Sequence, residues 1–272
     1  MIRALVLLFS LMAMTAHAQT SGLRTLDTEN AAHAWRAVGR LDLGRSGFCS
    51  ATLIAPDLVL TAAHCLYPKG SATPFEAGDI VFHAGLRNGK AAMSRRFSAV
   101  AAHAAFKPNM NLSPENIQHD VALLRLAEPI SPYEISPFQV HGDAVDPGPV
   151  SVVSYGRGRA NAQSRQRECQ FLDKESAIYV FDCDVTFGSS GAPVFSHLNG
   201  RGRIMSIISG MTYYKGEKVA LGMALPQRVA ELKRQLRIGL GATQPRAQVR
   251  RLGVGQGRSS TGAKFVRPAN GS

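Results

Sequence analysis

The sequence predicts an all-β body of two antiparallel β domains facing each other, closed by one C-terminal helix, and three observations point that way. Short apolar stretches recur between residues 48 and 210, each bounded by Gly, Pro, Asn or Asp, the punctuation of strands joined by turns. A helical period is confined to Pro226 to Ile238, and neither a βαβ alternation nor an internal repeat appears. The third observation is the placing of three polar motifs: LTAAHC at 60–65, His119-Asp120 ahead of an apolar run, and GSSGAP at 188–193. His64, Asp120 and Ser190 lie 56 and 70 residues apart, too far for one local element but readily brought together by two β domains.

In chain order, Met1 to Arg3 precede an apolar run from Ala4 to Met14 and the small-x-small site Ala16-His17-Ala18. This predicts a signal peptide over 1–18, cut to leave Gln19 first, and a secreted or periplasmic protein. The run is too short for a bilayer-spanning anchor, and no later segment reads as one; a packed N-terminal helix is the alternative. Residues 19–36 form an N-terminal segment open to removal as a propeptide. The first β domain, 37–135, holds strand candidates at Phe48 to Ile54, Leu58 to Thr61, Asp79 to Gly85, Phe97 to His103 and Val121 to Leu126. The proline-bearing stretch Pro129 to Gly148 is the crossing. The second domain, 136–241, holds Val150 to Tyr155, Ser176 to Asp182, Pro193 to Ser196 and Ile204 to Gly210. Its helix starts with Pro near the first position and repeats Val229, Leu232 and Leu236 on one face.

Half of the formal net charge of +12 lies in the C-terminal tail. Residues 242–272 carry Arg246, Arg250, Arg251, Arg258, Lys264 and Arg267 without an acid, among Gly, Ser, Gln and Pro. Such a composition predicts a disordered tail with weak, nonspecific attraction to anionic surfaces. No zinc-finger spacing, recognition helix or aromatic-interleaved basic patch accompanies it, so specific nucleic-acid binding is not expected.

A hydroxyl is a poor nucleophile near neutral pH; it needs a neutral imidazole to take its proton and a carboxylate to fix the tautomer and stabilise the imidazolium. His64, Asp120 and Ser190 are the candidates. Asp120 opens the run Val121-Ala122-Leu123-Leu124, where a carboxylate is costly to bury without partners; an imidazole N–H would supply one, and a strand-capping Asp is the plainer reading. His119 is expected to face sideways. Gly188 and Gly191 flank Ser190 and permit a tight turn that projects its hydroxyl. Ser189 is the neighbouring alternative.

LIAPDLVLTAAHC, DVALLRL and GSSGAPVF, in that order, resemble the histidine, aspartate and serine segments of the chymotrypsin-like (trypsin-fold) serine endopeptidases, in the compact form of secreted bacterial members. The resemblance runs from about Phe48 to Ile238. It implies two packed antiparallel Greek-key β-barrels with a C-terminal helix on the first, and hydrolysis of protein or peptide substrates through an acyl-enzyme on Ser190. Oxyanion donors would be the amides of Gly188 and Ser190. No metal or organic cofactor is implied. Only Ser190 has the family's G-x-S-G relation; Ser189 departs from the aspartate that digestive members use to receive a new N-terminal ammonium.

The family also has an equivalent of a Cys49–Cys65 disulfide, which would close a loop for roughly 3 kcal/mol. Cys169 and Cys183 then remain to pair, as suits an oxidising compartment; a zinc site is the alternative, although no CxxC pair is present. Asp184 lies six residues before Ser190, the offset of the aspartate that selects Arg or Lys in trypsin-like members, while the neighbouring cysteine falls on its other side. A surface acid is the plainer reading. Ser209 and Gly210 resemble the strand that binds substrate backbone, and Met211 would narrow the pocket. A binding or adhesion module that keeps this fold without turnover is the alternative function.

Overall fold

The computed structural model describes residues 22–110, 113–143, 146–197 and 202–239. The expected signal peptide and basic tail lie outside the described residues. The first elements are β1 (Leu23–Thr25) and a short helix α1 (Glu29–His33), capped by the Thr28 hydroxyl. Six strands follow: β2 (Val38–Leu43), β3 (Phe48–Ala55), β4 (Leu58–Thr61), β5 (Ile80–Ala84), β6 (Met93–Ala102) and, after helix α2 (Pro114–Ile117), β7 (Ala122–Leu126). They close an antiparallel barrel in the order β2-β3-β4-β7-β6-β5. The second ring comprises β8 (Gly148–Gly156), β9 (Arg159–Glu175), β10 (Ile178–Phe181), β11 (Pro193–Ser196), β12 (Arg203–Tyr214) and β13 (Glu217–Met223). Its order is β9-β10-β13-β12-β11-β8, with β8 pairing back to β9 and β1 added on β9's outer side. The chain closes with α3 (Pro226–Arg237).

The fold is thus the chymotrypsin-like pair of six-stranded barrels that the sequence predicts. The physical reasons are local. β4 and β11 coincide with their predicted spans because each is a short run of buried side chains ended by a turn. α3 begins at Pro226 and buries Val229, Leu232 and Leu236 against β6 and β7, each worth about 1.5–3 kcal/mol on burial. Among the described residues no helix is long and apolar enough to cross a membrane.

Four strands, β1, β2, β9 and β13, and two short helices go beyond the predicted elements. In β2, Arg40 clamps Asp42 through Nε and Nη2 at 2.6 and 2.8 Å, so a polar-looking stretch still buries Val38, Leu41 and Leu43. Gly39 is required there, because a Cβ would stand 2.3 Å from the Phe82 ring. β9 carries many charges, yet it pairs with β1, β8 and β10 in succession, so no single face stays buried along its length. Its buried Gln163 amide donates to the carbonyls of Trp35 and Val38 at 2.8 and 2.6 Å, tying the two barrels and the N-terminal segment together. That segment, which the sequence left open to removal, is seated from β1 onward: Leu26 and Ala32 are buried, and Leu26 N–H donates to Gln163 at 2.8 Å.

The core is continuous across the barrels. Trp35 packs on Phe138 and Phe195 at ring distances of 5.7 and 5.3 Å, and the cluster runs on through Val153, Ile204, Ile207 and Met223. The second barrel has its own interior around Phe171, Tyr179 and Phe181.

Candidate active site

His64 sits in a 3-10 turn, Ala63–Leu66, that leaves the end of β4. Ala62 and Ala63 are fully buried, which draws the backbone against the core, and the Cys49–Cys65 disulfide ties the turn to β3. Asp120 closes the α2 turn just before β7, and is only 2% exposed. Its carboxylate has the partners that burial demands. Oδ1 accepts the His64 backbone N–H at 2.8 Å, and Oδ2 accepts the His64 Nδ1–H at 2.7 Å and the Ser209 hydroxyl at 2.5 Å. Donation from Nδ1 fixes the tautomer with the proton there and leaves the Nε2 lone pair free to accept one. Burial from water pushes the His64 imidazolium down in pKa. The charge and hydrogen bond of Asp120 outweigh it, so the pKa stands above its ordinary value.

Ser190 comes from the loop between β10 and β11 and lines the same cavity as His64 and Asp120. The flanking glycines are required twice over. Gly188 and Gly191 have φ of +93° and +76°; a Cβ on Gly188 would stand 2.4 Å from Phe48, and one on Gly191 2.2 Å from Thr61 Oγ1. Strand β3 of the first barrel grips this loop. Ser50 N–H donates to the Ser190 carbonyl at 2.8 Å, and Ser50 Oγ–H to the Gly188 carbonyl at 2.9 Å. Among the described residues, neither the Gly188 nor the Ser190 N–H is given to a backbone carbonyl.

Asp184 does not join this group. Cys183 is bridged to Cys169 on β9, and the Asp184 N–H donates to Gln166 Oε1, also on β9, at 2.7 Å. The segment is therefore fixed against β9, and the Asp184 carboxylate faces a different cavity, 4.0 Å from Lys218 Nζ. Val185 and Thr186 line the cleft in its place. Ser209 and Gly210 reach the cleft, and the Ser209 hydroxyl is committed to Asp120; Met211 lines the wall beside them.

The cleft holds a cavity of about 480 Å³ whose walls include Phe106, Ile117, Val185, Ile208 and Met211. β12 continues past β11, so among the described residues Gly210 to Tyr214 pair only with β13, and Gly210 and Met211 line the cleft. An extended peptide can add there as another strand. Ser190 also borders a second hollow, with Lys69 and Arg157 on its rim. Among the described residues the two groupings close enough to hold a metal ion each contain a disulfide, whose sulfurs are not thiolate ligands. Ser50 and the residues behind Ser189 carry no local motif, because their partners lie 138 positions away for Ser50 and 30 to 35 for Arg159, Tyr155 and Ser154.

A family model described as a trypsin-like peptidase domain matches residues 46–202. A trypsin of Sarcophaga bullata is 29% identical over 106 residues, 39% of this chain and 37% of that relative, so the match spans little over a third of the relative's length. A solved structure, that of a Glu endopeptidase in complex with MPD, superposes with a TM-score of 0.67 at 15% identity, covering 81% of this chain and 98% of the other.

Proposed function

Since the chain belongs to the trypsin-like peptidase domain family, we propose that it is a secreted or periplasmic serine endopeptidase working through Ser190, His64 and Asp120. The observation that carries this is the doubly hydrogen-bonded His64–Asp120 pair in one cavity with Ser190. His64 Nε2 takes the Ser190 proton as Oγ attacks a peptide carbonyl, and the imidazolium so formed is stabilised by Asp120. The same proton then goes to the departing amine, leaving an ester on Ser190. Water, deprotonated by His64, hydrolyses the ester and restores the hydroxyl. Negative charge developing on the carbonyl oxygen would be met by the N–H groups of Gly188 and Ser190, oriented by the glycine turn.

Specificity follows the walls of the cleft. With Asp184 turned to another cavity and Val185, Ile208 and Met211 around the first, the side chain before the cut is apolar; a cation placed there would be desolvated without a counter-ion. Both disulfides fit an oxidising compartment, as does a leader over 1–18.

A fluorophosphonate probe on the purified chain tests the chemistry. Labelling is expected at Ser190, and Ser190→Ala should abolish it and lower hydrolysis by on the order of 10⁶ with unchanged melting. Labelling at Ser189, or undiminished hydrolysis by the variant, would overturn the assignment in favour of a binding module or another centre. A peptide-library digest tests the pocket: cuts after Arg, Lys or Glu in place of apolar residues would retire the apolar reading alone.

A further inference from the structure

Behind the Ser190 loop lies a cation that the hydrolytic steps do not use. Arg159 starts β9, three residues after Gly156. Its guanidinium is half-buried and reaches back beneath the loop. Nη1 donates to the Ser154 carbonyl at 2.8 Å; Nη2 donates to Ser154 Oγ at 2.9 Å and to Ser189 Oγ at 3.1 Å. Among the described residues no carboxylate lies within ion-pair distance of it. Partial loss of water around a cation without a direct counter-ion is costly, and it pulls the pKa of Arg159 down while the more distant Asp184 pulls it up. The place is shaped for it nonetheless. A Cβ on Gly156 would stand 2.8 Å from the guanidinium carbon, so a larger residue there would evict it.

We infer that Arg159 is a positioning residue, which holds the peptide units of Gly188 and Ser190 in the orientation that presents their N–H groups to the reacting carbonyl. The bonds form a closed set around fully buried Ser189. Its hydroxyl accepts from Arg159 Nη2 and from the Thr186 N–H at 3.2 Å, and donates to the Tyr155 carbonyl at 3.2 Å. Its backbone N–H returns to the Thr186 carbonyl at 2.9 Å, while Arg157 N–H holds the Phe187 carbonyl at 2.7 Å. Every residue from Thr186 to Ser189 is thus tied either to the β8–β9 corner or to a neighbour in the loop, or across to Ser50, and Arg159 is the one charged donor in that set. Asp184, instead of reading substrate, lends its field to Arg159 and Lys218.

The inference rests on the Ser190 reading for its kinetic consequence but not for its structural one, and the test uses both. In Arg159→Ala, amide hydrogen exchange of 187–190 should rise by about tenfold or more while β3 and β11 keep their protection. kcat should fall by about 10²-fold with KM within about twofold, the size of losing an oxyanion donor. Ethylguanidinium added to that variant should restore part of the lost kcat, and Arg159→Lys should fall between parent and Ala. If the Ala variant does not fold, exchange and kcat of Arg159→Lys carry the test. Unchanged exchange at 187–190, or a kcat loss that only tracks the unfolded fraction and is not rescued by ethylguanidinium, overturns the inference. Failure of the parent to be labelled at Ser190 would instead count against the hydrolytic reading and leave the exchange result standing.

Discussion

The two barrels hold their shares of the site by different means. The first supplies His64 and Asp120 from the turns that follow β4 and precede β7, and two hydrogen bonds fix each to the other: backbone N–H to Oδ1, ring N–H to Oδ2. The second supplies Ser190 from a loop whose shape is borrowed, from Ser50 on the opposite barrel, from the β8–β9 corner, and from two glycines whose missing side chains allow close approach. The proposed base and its carboxylate are organised within one domain. The turn of the proposed nucleophile depends on the seam.

The contrast can be broken from either side. Asp120→Asn removes the acceptor from the first-barrel pair and presents the wrong tautomer, so kcat should drop by about 10⁴-fold with the Ser190 loop undisturbed; steady-state kinetics with hydrogen exchange at 187–190 checks both halves. Gly191→Ala attacks the seam instead. Its φ of +76° and the 2.2 Å approach to Thr61 Oγ1 leave no room for a methyl group, so stability should fall by about 3 kcal/mol, measured by urea unfolding, and activity should fall with it. Ser209→Ala takes one charged hydrogen bond across the seam from Asp120, a loss of about 1.5–3 kcal/mol that kcat/KM should register.

The mildest test is pH. Because Asp120 outweighs burial and raises the His64 pKa, kcat/KM should climb through a midpoint above about 6.5 and be lost as pH falls through it. Stability should move the other way. A folded-state pKa above the unfolded value favours the protonated pair, so its stabilisation is full below the unfolded pKa and fades as pH rises through the folded one. A pH–rate profile beside a melting series resolves the two trends.

The same asymmetry governs what could be read from residues alone. β3, β4, β7 and β11 announce themselves because an apolar run between turn residues has few other places to go. β9 does not, since a strand that changes partners along its length needs no constant buried face, and β13 hides behind its Glu217-Lys218 start. Likewise His64, Asp120 and Ser190 sit in local motifs that suggest the chemistry proposed for them. Asp184 sits at a suggestive offset, but offset does not give direction: the Cys169–Cys183 bridge and the Gln166 bond turn it away. Ser50 and Arg159 act on residues 138 and 30 positions distant, and no spacing rule connects a donor to a loop that only folding brings near.

The aromatic seam has an optical consequence. Trp35 is the single tryptophan of the chain, and it sits where the N-terminal segment meets both barrels, against Phe138 and Phe195 with the Arg165 guanidinium 4.3 Å from its ring centroid. Its emission therefore reports one place, the junction of the N-terminal segment with the barrels, without a competing indole elsewhere. Parting of the barrels would strip away a cation and two rings together and admit water, shifting the emission to the red. The molecule carries its own gauge of docking, readable on the unlabelled protein at the concentrations used for kinetics.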